Sequence, residues 1–121
     1  MKNTQAIKLN KDFKRLYYRG KTVAGGNIVV YAIKNGKKYN RLGLTCSKAV
    51  GKAVKRNRAK RLMRESYRLC EPIIKTGFDF IIVARSRIVH AKCIVVKKEL
   101  EYILRKMGLL AEDEKSADLD N

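Results

Sequence analysis

Tryptophan is missing from this chain, proline and histidine occur once each (Pro72 and His90), and acidic side chains number only 11 against 29 Lys and Arg. Each shortage removes a class of function. One histidine and three cysteines (Cys46, Cys70, Cys93), more than 20 residues apart with no CxxC pair, leave no zinc site and an odd count for a disulfide framework. Reduced, buried thiols in a cytoplasmic protein are the expected state. The longest apolar runs, such as FIIVA at 80–84, fall far short of the roughly 20 residues of a spanning helix. The N-terminus carries no apolar core of a secretory signal.

Catalytic groups are equally sparse. Up to residue 110 the acids are Asp12, Glu65, Glu71, Asp79, Glu99 and Glu101, with no DxD or ExxH pattern among them. Glu99 and Glu101 lie two apart on a predicted helix and do not face each other. A metal-dependent nuclease needs clustered carboxylates, and a metal-independent one needs a His-based acid–base pair. His90 has no companion, and Gly25-Gly26 is too little for a phosphate-cradling loop. These residues describe a binder without catalytic machinery of its own.

Positive charge is what the chain has in excess. Residues 1–110 hold 28 basic and 6 acidic residues, a net of +22, whereas 111–121 hold one Lys and five acids, a net of −4. Such a bias implies a polyanionic partner, with nucleic acid ahead of an anionic membrane surface. The acidic end lacks aromatics and periodicity and reads as a disordered tail that tempers non-specific binding, leaving 1–110 as one RNA-binding α/β domain.

Along the chain, Asn10 is placed to cap a helix through about Arg19 that groups Phe13, Leu16 and Tyr17 on one face, with Asp12 favouring the helix dipole. NIVVYAIK (27–34) is a strand with apolar residues on both faces, NGKK (35–38) a turn, and RLGLTCS (41–47) a strand aligning Leu42, Leu44 and Cys46. A helix follows over about 52–69, then a strand at FDFIIVAR (78–85) and an amphipathic helix from about His90 to Met107. The order predicts an α+β domain: one mixed sheet packed with helices, with a strand–helix–strand crossover over 41–85.

The segment KAVKRNRAKRLMRE (52–65) carries seven Lys or Arg against Glu65 alone. At 100° per residue, Ala59, Leu62, Met63, Ser66, Leu69 and Cys70 form an arc for the sheet. Arg56, Asn57, Lys60, Arg61, Arg64 and Arg68 fall opposite, with Arg58 and Glu65 to one edge and Arg61–Glu65 spaced as an intrahelical pair. A solvated face would mix signs, whereas Arg56, Lys60 and Arg64 repeat the same charge at i, i+4, which marks an anion-binding face. Arginine suits bidentate phosphate contacts. Asn57 suits a base edge, a ribose hydroxyl or a backbone group equally. Phe13, Tyr17, Tyr31 and Tyr18 form a second candidate set, since bases stack on aromatic rings beside basic grooves. Read alone, they fit a core with partly buried tyrosines better.

The ordered set DFKRLYYRG (12–20), RLGLTCSKAVG (41–51), the Arg56-Asn57-Arg58 core followed by Lys60-Arg61-Leu62 and Arg64, and DFIIVAR (79–85) resembles the bacterial ribonuclease P protein family over roughly residues 8–107. The resemblance implies a subunit of the ribonucleoprotein that removes the 5′ leader from precursor tRNA. Catalysis would belong to the RNA subunit and to Mg²⁺ held by that RNA and the substrate. Arg56, Asn57, Arg58, Lys60, Arg61, Arg64 and Arg68 would contact the RNA subunit, and Phe13, Tyr17, Val29, Tyr31, Thr45 and Lys48 would line a cleft for the single-stranded leader. It also implies a left-handed crossover around the basic helix, against the usual rule. Lys52 stands where the family commonly has Asn. The partners implied are the ribonuclease P RNA and precursor tRNA, with no membrane and no small-molecule substrate. A small ribosomal-type RNA binder and an independent nuclease are the competing readings.

Overall fold

The computed structural model describes residues 1–111; the acidic segment from 112 onward, expected to be a disordered tail, lies outside the described residues. Eight main elements follow one another: β1 (Thr4–Ala6), α1 (Asn10–Arg19), β2 (Lys21–Ala24), β3 (Ile28–Lys34), β4 (Asn40–Cys46), α2 (Ala53–Cys70), β5 (Phe78–Ala84) and α3 (Cys93–Lys106). The strands form one mixed sheet in the order β1-β4-β5-β3-β2. β1, β4 and β5 run parallel, while β3 and β2 run antiparallel to their neighbours. The predicted crossover is therefore present as β4–α2–β5, joining adjacent parallel strands.

The three β-branched or alternating strands form where the sequence places them. β1 and β2 are absent from the sequence reading because TQA and KTVA are short edge segments with little apolar alternation. Backbone pairing to β4 and β3 holds them instead. The turn at 35–38 does not close a hairpin, since β5 inserts between β3 and β4.

Period-two alternation splits the sheet into two unlike faces. Ile28, Val30, Ala32, Leu42, Phe80, Ile82 and Ala84 point into the main core, under α2 and α3. The other face is thinly covered: α1 lays Leu16 and Phe13 on Ile81 beside Ile7. Leu16 and Ile81 are fully buried, and each stabilises this contact by about 1.5–3 kcal/mol.

Four local expectations are revised. Leu9, not Asn10, is the N-cap residue of α1, and no side chain caps the helix because Asn10 is already inside it. On α2, Tyr67 is buried and Leu69 is 44% exposed; Tyr67 turns inward to share a 3.0 Å hydrogen bond with Thr4 of β1. Glu65 pairs with Arg68 rather than Arg61, accepting from Nε at 3.0 Å. α3 begins at Cys93, not His90, which ends a 3₁₀ turn over Ser86–His90.

Candidate nucleic-acid interface

The thinly covered face brings together residues that are distant in sequence. Strand register puts Val29 opposite Val83, Tyr31 opposite Ile81, and Thr45 and Gly43 beside Val83 and Ile81 on the parallel side. Val29, Tyr31, Thr45, Gly43, Ile81 and Val83 thus share one face. α1 adds the wall. The Tyr17 ring meets Tyr31 edge-on at 4.9 Å between centroids, and its hydroxyl donates to Thr45 Oγ1 at 3.3 Å. Phe13 presses on Gly43 so closely that a Cβ there would stand 2.7 Å from its ring.

Five of the six residues expected to line a cleft therefore adjoin one another. Lys48 stands just beyond β4, in the 3₁₀ turn Lys48–Val50. There it shares a hollow with Gly51, Lys52 and Arg56. Tyr18 is 92% exposed and is not part of the aromatic wall.

Side-chain pairing fixes the wall to the floor. Arg41 of β4 forks onto Asp79 of β5 through Nε at 2.8 Å and Nη2 at 2.6 Å, and reaches Asp12 of α1 at 3.3 Å. Asn35 donates to the same Asp79 carboxylate at 2.9 Å. Burial pushes the Asp79 carboxyl up, but the Arg41 and Asn35 hydrogen bonds and the Arg41 charge outweigh it and hold the group below the usual range. Asp12 thus anchors α1 across the sheet in addition to standing in the helix's first turn. Arg41 and Asp79 were missed in the sequence because they stand 38 positions apart; only the parallel register Arg41↔Asp79 joins them.

The basic helix divides into two sides. Lys60 and Arg64 look over the open edge of β4, where they share a concavity of about 440 Å³ with Phe13 and Gly43. β1 pairs with β4 only as far as Leu42, so this edge leads from the aromatic wall to the helix. Arg56 continues the cationic rim toward Lys52 and Lys48. Lys52 is the N-cap of α2 and makes no side-chain cap bond. Its ammonium adds to the rim rather than serving as a polar turn.

Asn57 and Arg61 occupy the other side, in a hollow with Val54 and Arg58. Arg58 donates to the carbonyls of Val89 at 2.8 Å and Ala91 at 3.2 Å, tying α2 to the turn before α3. Those carbonyls face Arg58 rather than a helical ladder, which accounts for the late start of α3. Arg68 is engaged with Glu65, whose carboxyl it lowers through hydrogen bonding. Of the seven basic-helix residues, then, three line the rim, two face the far side, and Arg58 and Arg68 have intramolecular partners.

All six acids among the described residues are occupied. Besides Asp12, Asp79 and Glu65, Glu71 accepts from Lys2 N at 2.9 Å, Glu99 holds Asn27 N and Nδ2 at 2.9 and 2.8 Å, and Glu101 pairs with Lys97 at 2.7 Å. Among the described residues no group of three His, Cys, Asp or Glu is placed to hold a metal ion, and no helix is long and apolar enough to cross a membrane.

The chain as a whole is matched in known proteins. The family model described as ribonuclease P matches residues 1–108. The chain belongs to the ribonuclease P protein family. It is 44% identical over 109 residues to a ribonuclease P protein component from Thermoanaerobacter pseudethanolicus, covering 90% of this chain and 94% of the relative. One from Alkaliphilus oremlandii is 40% identical over 110 residues, covering 91% and 96%. Solved structures agree. The RNase P protein from Staphylococcus aureus superposes with a TM-score of 0.77 at 34% identity, covering 86% of this chain and 95% of that one. The one from Thermotoga maritima gives 0.76 at 30%, covering 84% and 96%.

Proposed function

We propose that this chain is the protein subunit of a ribonuclease P ribonucleoprotein in the cytoplasm, and that it assists endonucleolytic removal of the 5′ leader from precursor tRNA. The observation that carries the reading is the aromatic wall of Phe13, Tyr17 and Tyr31 over an open sheet face, continuous with a cationic rim. Bases stack on rings while phosphates meet cations, which is how a single strand is held without sequence readout. The leader occupies the face formed by Phe13, Tyr17, Val29, Tyr31 and Thr45, with Lys48 at its end. The RNA subunit takes the α2 side, with Arg56, Lys60 and Arg64 as phosphate contacts and Asn57 and Arg61 on the far side. Arg58 and Arg68 serve chiefly by holding α2 and its neighbours in place.

Cleavage is assigned to the RNA subunit and to Mg²⁺ held by RNA and substrate, because every described carboxylate is committed to a structural partner. Leader removal is measured with the protein alone, with cognate RNA alone at physiological Mg²⁺, and with both. The reading predicts no cleavage by the protein alone and stimulation of the RNA. Activity from the protein alone would establish an independent nuclease, and an RNA unaffected by the protein would favour a structural RNA binder.

A further inference from the structure

On the opposite side of the sheet from the aromatic wall, the lower end of the main core opens to solvent. Register places Lys21 opposite Ala32 and Lys34 opposite Phe78, so these residues share the face that α3 covers. α3 stops short of them. Gly108 turns the chain with φ +74°, and Leu109 N donates back to the Leu104 carbonyl at 2.9 Å. A concavity of about 520 Å³ remains, with Phe78, Met107 and Leu109 as its apolar floor and Arg19, Lys21 and Lys34 around it.

Its volume is within the roughly 300–1,000 Å³ of ordinary ligand sites, and no carboxylate among the described residues lines it. The hollow is preformed. Asn40, 1% exposed, accepts from Phe78 N and donates to the Lys75 carbonyl, both at 3.0 Å. Lys75 N in turn donates to the Leu109 carbonyl at 2.9 Å. Phe78 packs on Phe80 at 6.1 Å and is itself only half-buried, so part of its ring is free to stack.

We infer that this hollow is a second nucleotide-binding site: an unpaired base lies against Phe78 and Met107, and its phosphate meets Arg19, Lys21 and Lys34. A flat base supplies the area that a half-buried ring and a thioether accept, and sulfur favours aromatic partners. The three cations match a phosphate rather than a neutral ligand. The nucleotide comes either free in solution or as an unpaired residue of an RNA strand. This site rests on none of the residues assigned to the leader or to the RNA subunit.

The test uses the full chain with ¹³C-labelled methionine methyls. Met107 lines the hollow, whereas Met63, on α2, is fully buried and serves as a fold control. Adenosine 5′-monophosphate, a five-nucleotide oligoadenylate and inorganic phosphate are titrated separately. The expected result is a saturable ring-current shift of Met107 with the nucleotides, no such shift with phosphate, and Met63 unmoved. Lys21→Glu/Lys34→Glu should weaken that response at least tenfold, and Tyr17→Ala should leave it unchanged. An oligonucleotide at least tenfold tighter than the mononucleotide identifies an RNA strand as the source, and comparable affinities identify a free nucleotide. A silent Met107, an equal shift with phosphate, or a response untouched by the charge reversal would overturn the site.

Discussion

Gly43 is where one hydrogen atom decides the shape of the wall. Phe13 occupies the space a Cβ would fill, so Gly43→Ala pushes the ring off the sheet. The expected outcome is weaker binding of a single-stranded leader with little change in melting temperature, since the ring sits on a partly exposed face and has room to swing; leader titration and thermal unfolding check both. Asp79 has the opposite character, because its loss takes the two-pronged contact from Arg41 and leaves it the Asp12 carboxylate alone, at 3.3 Å. Removing one partner of a fully buried ion pair costs roughly 3–5 kcal/mol; Arg41 is 18% exposed and keeps Asp12, so denaturant unfolding of Asp79→Ala should show a clear loss that falls below that range. The pH dependence follows from the lowered carboxyl of Asp79. A folded-state value below the ordinary one of about 3.9 gives stabilisation that is complete above that pH and lost as pH falls through the folded value. Unfolding midpoints should therefore drop below about pH 4 in the wild type and flatten there in Asp79→Ala.

At the scale of elements, α2 is two instruments on one helix. Its sheet-facing stripe was legible from 100° spacing, and Ala59, Met63, Ser66 and Cys70 are buried as expected. Leu69, expected on that stripe, is exposed, and Tyr67, which the wheel reading left unplaced, is buried because β1 offers Thr4 to the Tyr67 hydroxyl, a tertiary contact that no wheel contains. The same limit applies to the basic side. Spacing groups Arg56, Asn57, Lys60, Arg61, Arg64 and Arg68 and sets Arg58 to one edge, but it cannot tell Arg68, which is engaged with Glu65, from Lys60, which lines the open edge, nor show that the carbonyls of Val89 and Ala91 take the Arg58 guanidinium. For the cleft, the sequence supplied aromatics and apolar residues on both faces of β3, and the family resemblance supplied the grouping. The Tyr17–Tyr31–Thr45 contact itself depends on register and on Arg41 fastening α1.

The division of α2 predicts separable phenotypes. Replacing Arg56, Lys60 and Arg64 with Ala should reduce the slope of log affinity against log salt by about two to three for the RNA subunit, at about 0.7–0.9 per lost phosphate contact. Arg58→Ala should lower the melting temperature and change that slope by less than one. Equal slopes for the triple variant and wild type would remove the rim from the phosphate interface.

For the whole molecule, charge and aromatic area are arranged as a path. A domain of net +22 over residues 1–110 attracts any RNA, so affinity alone says little about function; discrimination between ligands says more. On the proposed reading, the cationic rim takes phosphate wherever it occurs, whereas the aromatic wall acts only on unpaired bases. Stacking is worth about 1–3 kcal/mol per base, and Tyr17 and Tyr31 supply it at one place. The measurement that tests this most directly is the affinity of the reconstituted ribonucleoprotein for leader-bearing precursor tRNA and for mature tRNA, with wild-type protein and with Tyr17→Ala/Tyr31→Ala. The wall predicts that the double variant loses about 1–3 kcal/mol for the precursor and nothing measurable for mature tRNA. Equal losses for both ligands, or none for either, would contradict a leader cleft on this face of the sheet.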